Sequence, residues 1–316
     1  MIALLAVPLF VGLALCLVGE RLARSMRPGW AVPLLTALAL TVALCTGIAL
    51  SVVAMLVGVQ LGPLPRIGHW SVPSLRSATG FPDAVGLLAM VLVLIALGSA
   101  LVRGVRTAHA LIAASRTARR LRPADGRLVL LDDPAPLAYS VLGFPGRIVV
   151  STAMLAALSA DERRVLLAHE ASHLRNRHQL YAGLARLAAA ANPLLRPVAG
   201  AVTRAVERAA DEDAAATVGD RQLAARALAR AALARAAHAG PGAPAATPVA
   251  ALAAAGGSAA QIADRVHSLL APPLPRRRLP VLLVLVAGLA SWTAALVLAA
   301  WGDGLVEIAE AVYVRR

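Results

Sequence analysis

Apolar positions gather into four long runs, each too long for one face of a soluble helix. They are Ile2 to Gly19, Trp30 to about Leu61, about Ala84 to Val102, and about Leu279 to Trp301. At ~1.5 Å of rise per residue each predicts a helix able to cross a bilayer. The first run competes with a signal peptide. That reading is weakened because no positive segment precedes the run, whereas Glu20, Arg21, Arg24 and Arg27 follow it. Gly62-Pro63-Leu64-Pro65 ends the second, and a short loop with Arg66, His69, Trp70 and Arg76 leads to the third.

Between the third and fourth runs the pattern shortens, and only Arg103 to Arg278 is long enough for a globular domain. Arg103 to Leu121 predicts a basic continuation of the third helix near anionic headgroups. Leu128 to Leu131 and Ile148 to Val150 read as short strands, separated by Asp132-Asp133-Pro134, Pro136 and Gly143-Phe144-Pro145-Gly146. Ser159 with Glu162 forms a capping box that starts a helix carrying Val165, Leu166 and Leu167. Leu180 to Ala191 is apolar enough to be mistaken for a fifth span. Arg186, Arg196, Arg204, Pro193 and Pro197 point instead to core helices leaning on the membrane. Arg221 to His238 reads as an Ala-rich helix with a solvated arginine face, and 240–257 as a flexible Ala/Gly/Pro loop. The expected fold is mainly α: four transmembrane helices with an α+β domain inserted between the third and fourth. Its divisions are 1–102, 103–278, 279–301 and a short extracytoplasmic tail at 302–316.

Composition turns these runs into a membrane protein, since 59% of residues are hydrophobic, 15% are charged, and the mean hydropathy is +0.72. All 31 basic residues are Arg, and 24 of them lie in 103–278 with 12 of the 17 acids, so that segment carries 24 − 12 = +12. Arginines flank both ends of it, as Arg103, Arg106, Arg116, Arg119, Arg120 and Arg122 at one and Arg276-Arg277-Arg278 at the other. The positive-inside rule then predicts a cell-membrane protein with its N-terminus outside, the large domain in the cytoplasm and the C-terminus outside. Without a nucleic-acid motif, the basic charge is topological and no direct nucleic-acid binding is expected. Cys16 and Cys45 fall inside apolar runs and read as small buried residues.

The candidate chemistry is His169-Glu170-Ala171-Ser172-His173. Histidines four apart share a helical face and can hold one Zn2+ through neutral imidazoles, with Glu170 beside the open coordination position as general base. A catalytic zinc needs a third protein donor, and Glu207 lies about one helix-and-turn unit downstream. Asp211, four residues later on the same face, can accept a hydrogen bond from a ligand histidine. The plainer alternative is that Glu207 pairs with an arginine on a solvated helix. His178, Tyr181 and Arg204 are near enough in sequence to contact substrate or an oxyanion, and each also has an ordinary surface role. His69, His109, His238 and His267 read as structural or exposed residues. The short strands form a small sheet whose edge can dock an extended peptide.

These residues, with Asn192-Pro193-Leu194-Leu195 and Glu207-Arg208-Ala209-Ala210-Asp211, resemble the motifs of the BlaR1/MecR1-type membrane metallopeptidases of family M56. The HtpX/Ste24-type family M48 shares the HExxH and the downstream Glu/Asp pattern. Three spans before the domain and one after it look more like M56. The resemblance implies a zincin-like endopeptidase domain with His169, His173 and Glu207 as Zn2+ ligands, Glu170 as base and Asp211 behind them. It implies a protein or peptide substrate, such as a BlaI-type repressor, in a regulatory role. Fifteen residues follow Trp301 in place of that family's external penicillin-binding domain, a departure that speaks against direct β-lactam sensing by this chain. Two alternatives are an HtpX-like quality-control protease and a catalytically silent signalling or scaffold protein; the intact Glu170 counts against the latter.

Overall fold

Four long apolar helices frame the computed structural model, which describes residues 2–60, 69–80, 82–120, 123–143, 146–238, 258–275 and 277–314. The expected Gly62-Pro63-Leu64-Pro65 breaker, Arg66, Arg122, Arg276 and the 240–257 loop lie outside the described residues. The four helices are α1 (Ile2–Ser25), α2 (Pro28–Gly58), α4 (Asp83–Arg120) and α11 (Arg278–Val314), all long and apolar enough to cross a membrane. A short helix, α3 (Val72–Thr79), precedes α4 and packs on the far end of α11.

Two of the long helices outrun the apolar runs that predict them. α4 continues unbroken for 38 residues, so its basic half follows the axis of the span and packs on the domain. α11 is helical through Val314, which puts Asp303, Glu307 and Glu310 on its last turns. The expected tail is held there because Trp70 Nε1 donates to Glu310 at 3.0 Å and Ser71 N to Ala309 O at 3.1 Å. Gly86 lets α2 and α4 meet closely, since a Cβ there would lie 2.1 Å from that of Val57.

The domain begins with a three-stranded sheet of β1 (Leu128–Leu131), β2 (Ala138–Val141) and β3 (Arg147–Ser151), ordered β1-β3-β2. β1 and β3 run parallel, and β2 pairs antiparallel as the edge. β1 and β3 are legible in the sequence; β2 is not, because Ala-Tyr-Ser-Val is only four residues long, with Ala and Ser diluting Tyr and Val, and it forms by pairing with β3. Helices follow as α5 (Thr152–Ala157), α6 (Ala160–Arg175), α7 (His178–Ala191), α8 (Arg196–Val218), α9 (Arg221–His238) and α10 (Ala259–Leu270). One face of the sheet packs through Ile148 and Val150 on Leu166 of α6; the other meets Ala114 of α4 through Val149 and Val141.

α7 and α8 form a hairpin that reaches deeper than a helix pair leaning on the membrane. Its turn is Asn192 and a 3-10 segment at Pro193–Leu195. Asn192 and Leu194 face Gly12 of α1, and Asn192 Nδ2 donates to Thr46 Oγ1 of α2 at 3.4 Å. Gly12 precedes the charged Glu20 by eight residues, about 12 Å along the helix. Non-helical backbone at that depth needs protein around it. Asn192 is buried, its Oδ1 accepts from Leu194 N, and Leu195 and Val198 join one apolar core with Leu15, Leu35 and Val42. The hairpin thus anchors the domain in the span bundle and sets the height of everything α7 and α8 carry.

Candidate metal centre

α6 starts where its capping box says it should. Ser159 Oγ accepts from Glu162 N, and Glu162 Oε2 accepts from Ser159 N at 2.9 Å. The helix carries His169, Glu170 and His173 to the cavity side and ends at Asn176, after which Arg177 takes a left-handed conformation (φ 51°) that turns the chain into α7. Asp213 of α8 ties this end down, accepting from Ser172 Oγ at 2.7 Å, Asn176 Nδ2 at 2.7 Å and Arg175 at 2.9 Å.

Three donors converge here. His169 and His173 bring their Nε2 atoms to 3.1 Å of each other, and each lies 3.8 Å from one oxygen of Glu207 on α8. All three ligand atoms sit within 4.8 Å of one another, as a set able to hold a metal ion. Their side chains are 14%, 12% and 26% exposed, so solvent reaches the set mainly from the cavity. Opposite Nε2, His169 Nδ1 lies 3.1 Å from Asp211 Oδ1; a proton held there leaves Nε2 free as a donor atom. His173 Nδ1 lies 3.2 Å from His178 Nδ1 and is braced in the same way.

The neighbouring charges set the protonation of the group. Burial pulls His169 down, but the hydrogen bond and charge of Asp211, with Glu170 and Glu207, raise it above the ordinary imidazole value. His173 is held well below that value by burial and by the positive His169 and His178. Burial raises Glu170, an effect that His169 partly offsets. Asp211 would also rise on burial, yet the guanidinium of Arg265 and His169 keep it far below the carboxylate range.

Arg265 is the residue that sequence reading missed. It is 7% exposed on α10, donating Nε to Asp211 Oδ2 at 2.7 Å and Nη2 to Asp211 Oδ1 at 2.7 Å, with Nη1 3.1 Å from Glu207 Oε2. One signal existed: Arg265 falls on the same helical face as Ile262, Val266 and Leu269, where an apolar residue is the rule. Arg221 fixes α10 in place, pairing with Glu212 and donating to the carbonyls of Ser268, Leu269 and Ala271. That contact also removes Arg221 from the solvated face expected for its helix. Arg235 of the same helix lines the cavity too, with a buried Nε that has no partner among the described residues.

The remaining candidates separate. His178 lines the cavity but stands behind His173. Tyr181 packs against the apolar core of the span bundle. Arg204 is held by Glu20 of α1, with Nε 3.1 Å from Oε1. His178 yields a pH prediction. Burial, with the nearby His169 and Arg175 charges, lowers its pKa to about 4, below the ordinary histidine value of 6.5. Between those values the unfolded chain binds more protons, so His178 stabilises the fold fully above pH ~6.5 and loses this contribution as pH falls towards 4. The loss is on the order of 3 kcal/mol. Thermal melts in detergent from pH 7.5 to 4.5 should fall across that window, and His178→Gln should flatten the slope.

These side chains border a cavity of about 490 Å³ that runs from the cluster past β2 to α4 and α7. β2 offers it an open edge. Ser151 N donates to Leu137 O at 2.9 Å, so alternation turns the main-chain groups of Tyr139 and Val141 towards β3 and those of Ala138 and Ser140 away from it. Gln179 Nε2 donates to Ser140 O at 2.6 Å, which shows the outward direction and already fills one of these carbonyls, so an added strand has to displace it.

Residues 106–192 match the model of Peptidase family M48. The match includes α6 and its two histidines, stops before Glu207 and Asp211, and supports the M48 side of the resemblance without confirming the M56 side. No curated protein and no solved structure matches the chain. The matched segment together with four long apolar helices supports a membrane metallopeptidase.

Proposed function

We propose that this chain is an integral-membrane zinc endopeptidase that hydrolyses peptide bonds of membrane-proximal proteins, with a peptidase domain of 103–278 on the cytoplasmic side. The observation that carries the reading is the convergence of His169, His173 and Glu207, each imidazole braced from behind, beside the buried carboxylate of Glu170. Two imidazoles and one carboxylate are a donor set that zinc favours in hydrolytic sites. When bound, zinc supplies a Lewis acid that polarises the scissile carbonyl and acidifies water.

The chain's own residues do the rest. Glu170 takes the proton of the attacking water and hands it to the leaving amine; its raised pKa suits both transfers. Asp211 and His178 hold the ligand rings in their tautomers, and Arg265 keeps Asp211 ionised. The open edge of β2 receives the substrate as an added strand, which reads main chain with little regard for sequence. That tolerance and the M48 match favour quality control of the HtpX type. The regulatory reading, with a BlaI-type repressor as substrate, rests on the arrangement of three spans before the domain and one after it.

The reading requires one zinc per chain in detergent-purified protein. His173→Ala and Glu207→Ala should each lower the stoichiometry and abolish cleavage of an unfolded protein or of the chain itself. A metal-free wild type that still cleaves would sink it.

A further inference from the structure

The far end of the cavity is basic. Arg103 and Arg106 of α4 and Arg186 of α7 line it, with the small Ala110 and Ala182 one turn away on the same helices. Six arginines of the domain have carboxylates, namely Arg164, Arg175, Arg204, Arg221, Arg230 and Arg265, whereas Arg235 nearer the metal centre lines the same cavity without one. Among the described residues, Arg103, Arg106 and Arg186 have no such partner. Burial and the nearby Arg103 charge push Arg186 below its ordinary pKa, although much of its side chain stays open to solvent in the cavity. Three guanidiniums gathered at one end of a cavity suit an anionic ligand.

Helix geometry fixes where the ligand sits. His178 touches His173, and Arg186 lies eight residues further along α7, about 12 Å towards the membrane. Thr107 against Gly183 sets α4 beside α7 at this height. An extended peptide covers 12 Å in about three to four residues. We propose that Arg103, Arg106 and Arg186 form a carboxylate subsite for the substrate, taking an acidic side chain or a C-terminus three or four residues from the scissile bond. A peptide is favoured over a lipid phosphate because the three line the same cavity as Glu170 and the edge strand β2, whereas Arg116, Arg119 and Arg120 lie outside it.

This inference rests on the peptidase reading, and one experiment separates them. Full-length protein in uncharged detergent is given neutral fluorogenic peptides in which one Glu, or Gln, is walked from two to six residues on either side of the cut. The Glu/Gln ratio of kcat/KM should peak at about tenfold three or four residues away on one side, and shrink with added salt. The ratio cancels any general loss in a variant. It should fall to near one in Arg103→Gln/Arg186→Gln, and Arg186→Glu should prefer Lys at the same position, a gain that misfolding cannot produce. A flat Glu/Gln ratio in the wild type, or a preference kept by the double variant, overturns the subsite. If the variants change only the response to phosphatidylglycerol vesicles, the site belongs to lipid and the proposal fails. Cleavage that survives Glu170→Gln defeats the peptidase reading instead, and the proposal with it.

Discussion

Glu170→Gln protein is expected to fold, bind zinc at wild-type stoichiometry and cleave an unfolded substrate roughly 10²–10⁴-fold more slowly. Glutamine keeps the size and one oxygen of a side chain that is 7% exposed, so its packing changes little. What it lacks is the ability to accept and return a proton. Neither His169 nor His173 can replace it, since both direct their free nitrogens at Glu207. Paired measurements of zinc content and cleavage rate check this. Equal rates for the two proteins would mean that the base is elsewhere or that the activity belongs to a contaminant.

Arg265→Leu should produce the largest loss of stability. Arg265 gives both arms of its fork to Asp211 and its remaining nitrogen to Glu207, in a place where it is 7% and Asp211 5% exposed. Removing one partner of a buried pair strands the other, which costs about 3–5 kcal/mol. Asp211 would then lose its main counter-charge, rise in pKa and hold His169 less firmly, and zinc affinity should fall about 10–100-fold. Arg265→Lys should recover little, because a single ammonium cannot make the two-armed contact. Thermal melts and zinc-buffer titrations of the purified protein check both effects. The argument fails if Arg265→Leu melts like the wild type, or if Asp211→Asn and Arg265→Leu add fully in the double variant, because partners in one ion pair must couple.

Local pattern determined much of this protein. Long apolar runs have one answer in a bilayer, so the four spans were legible to within a few residues wherever no partner extended them. The capping box fixed the start of α6, and a spacing of four put His169 and His173 on one face of it, both consequences of helical geometry alone. Glu207 and Asp211 were legible as a pair on one face for the same reason, and the fold brings both to the histidines.

Tertiary structure decided whatever depended on which segments meet. β2 exists because β3 offers it a partner, and the helical end of α11 because Trp70 and Ser71 hold it. The depth of the α7–α8 hairpin came from the fit of Asn192 between Gly12 and Thr46. Arg204 and Tyr181 carried no sequence mark that would turn one to Glu20 and the other to the span core. Arg265 stands 54 residues after Asp211, and no local periodicity can say that a lone charge on an apolar face will be neutralised by two carboxylates from another helix. Spacing along one helix is fixed by the chain's own geometry; the pairing of distant charges is fixed only when folding removes water from both.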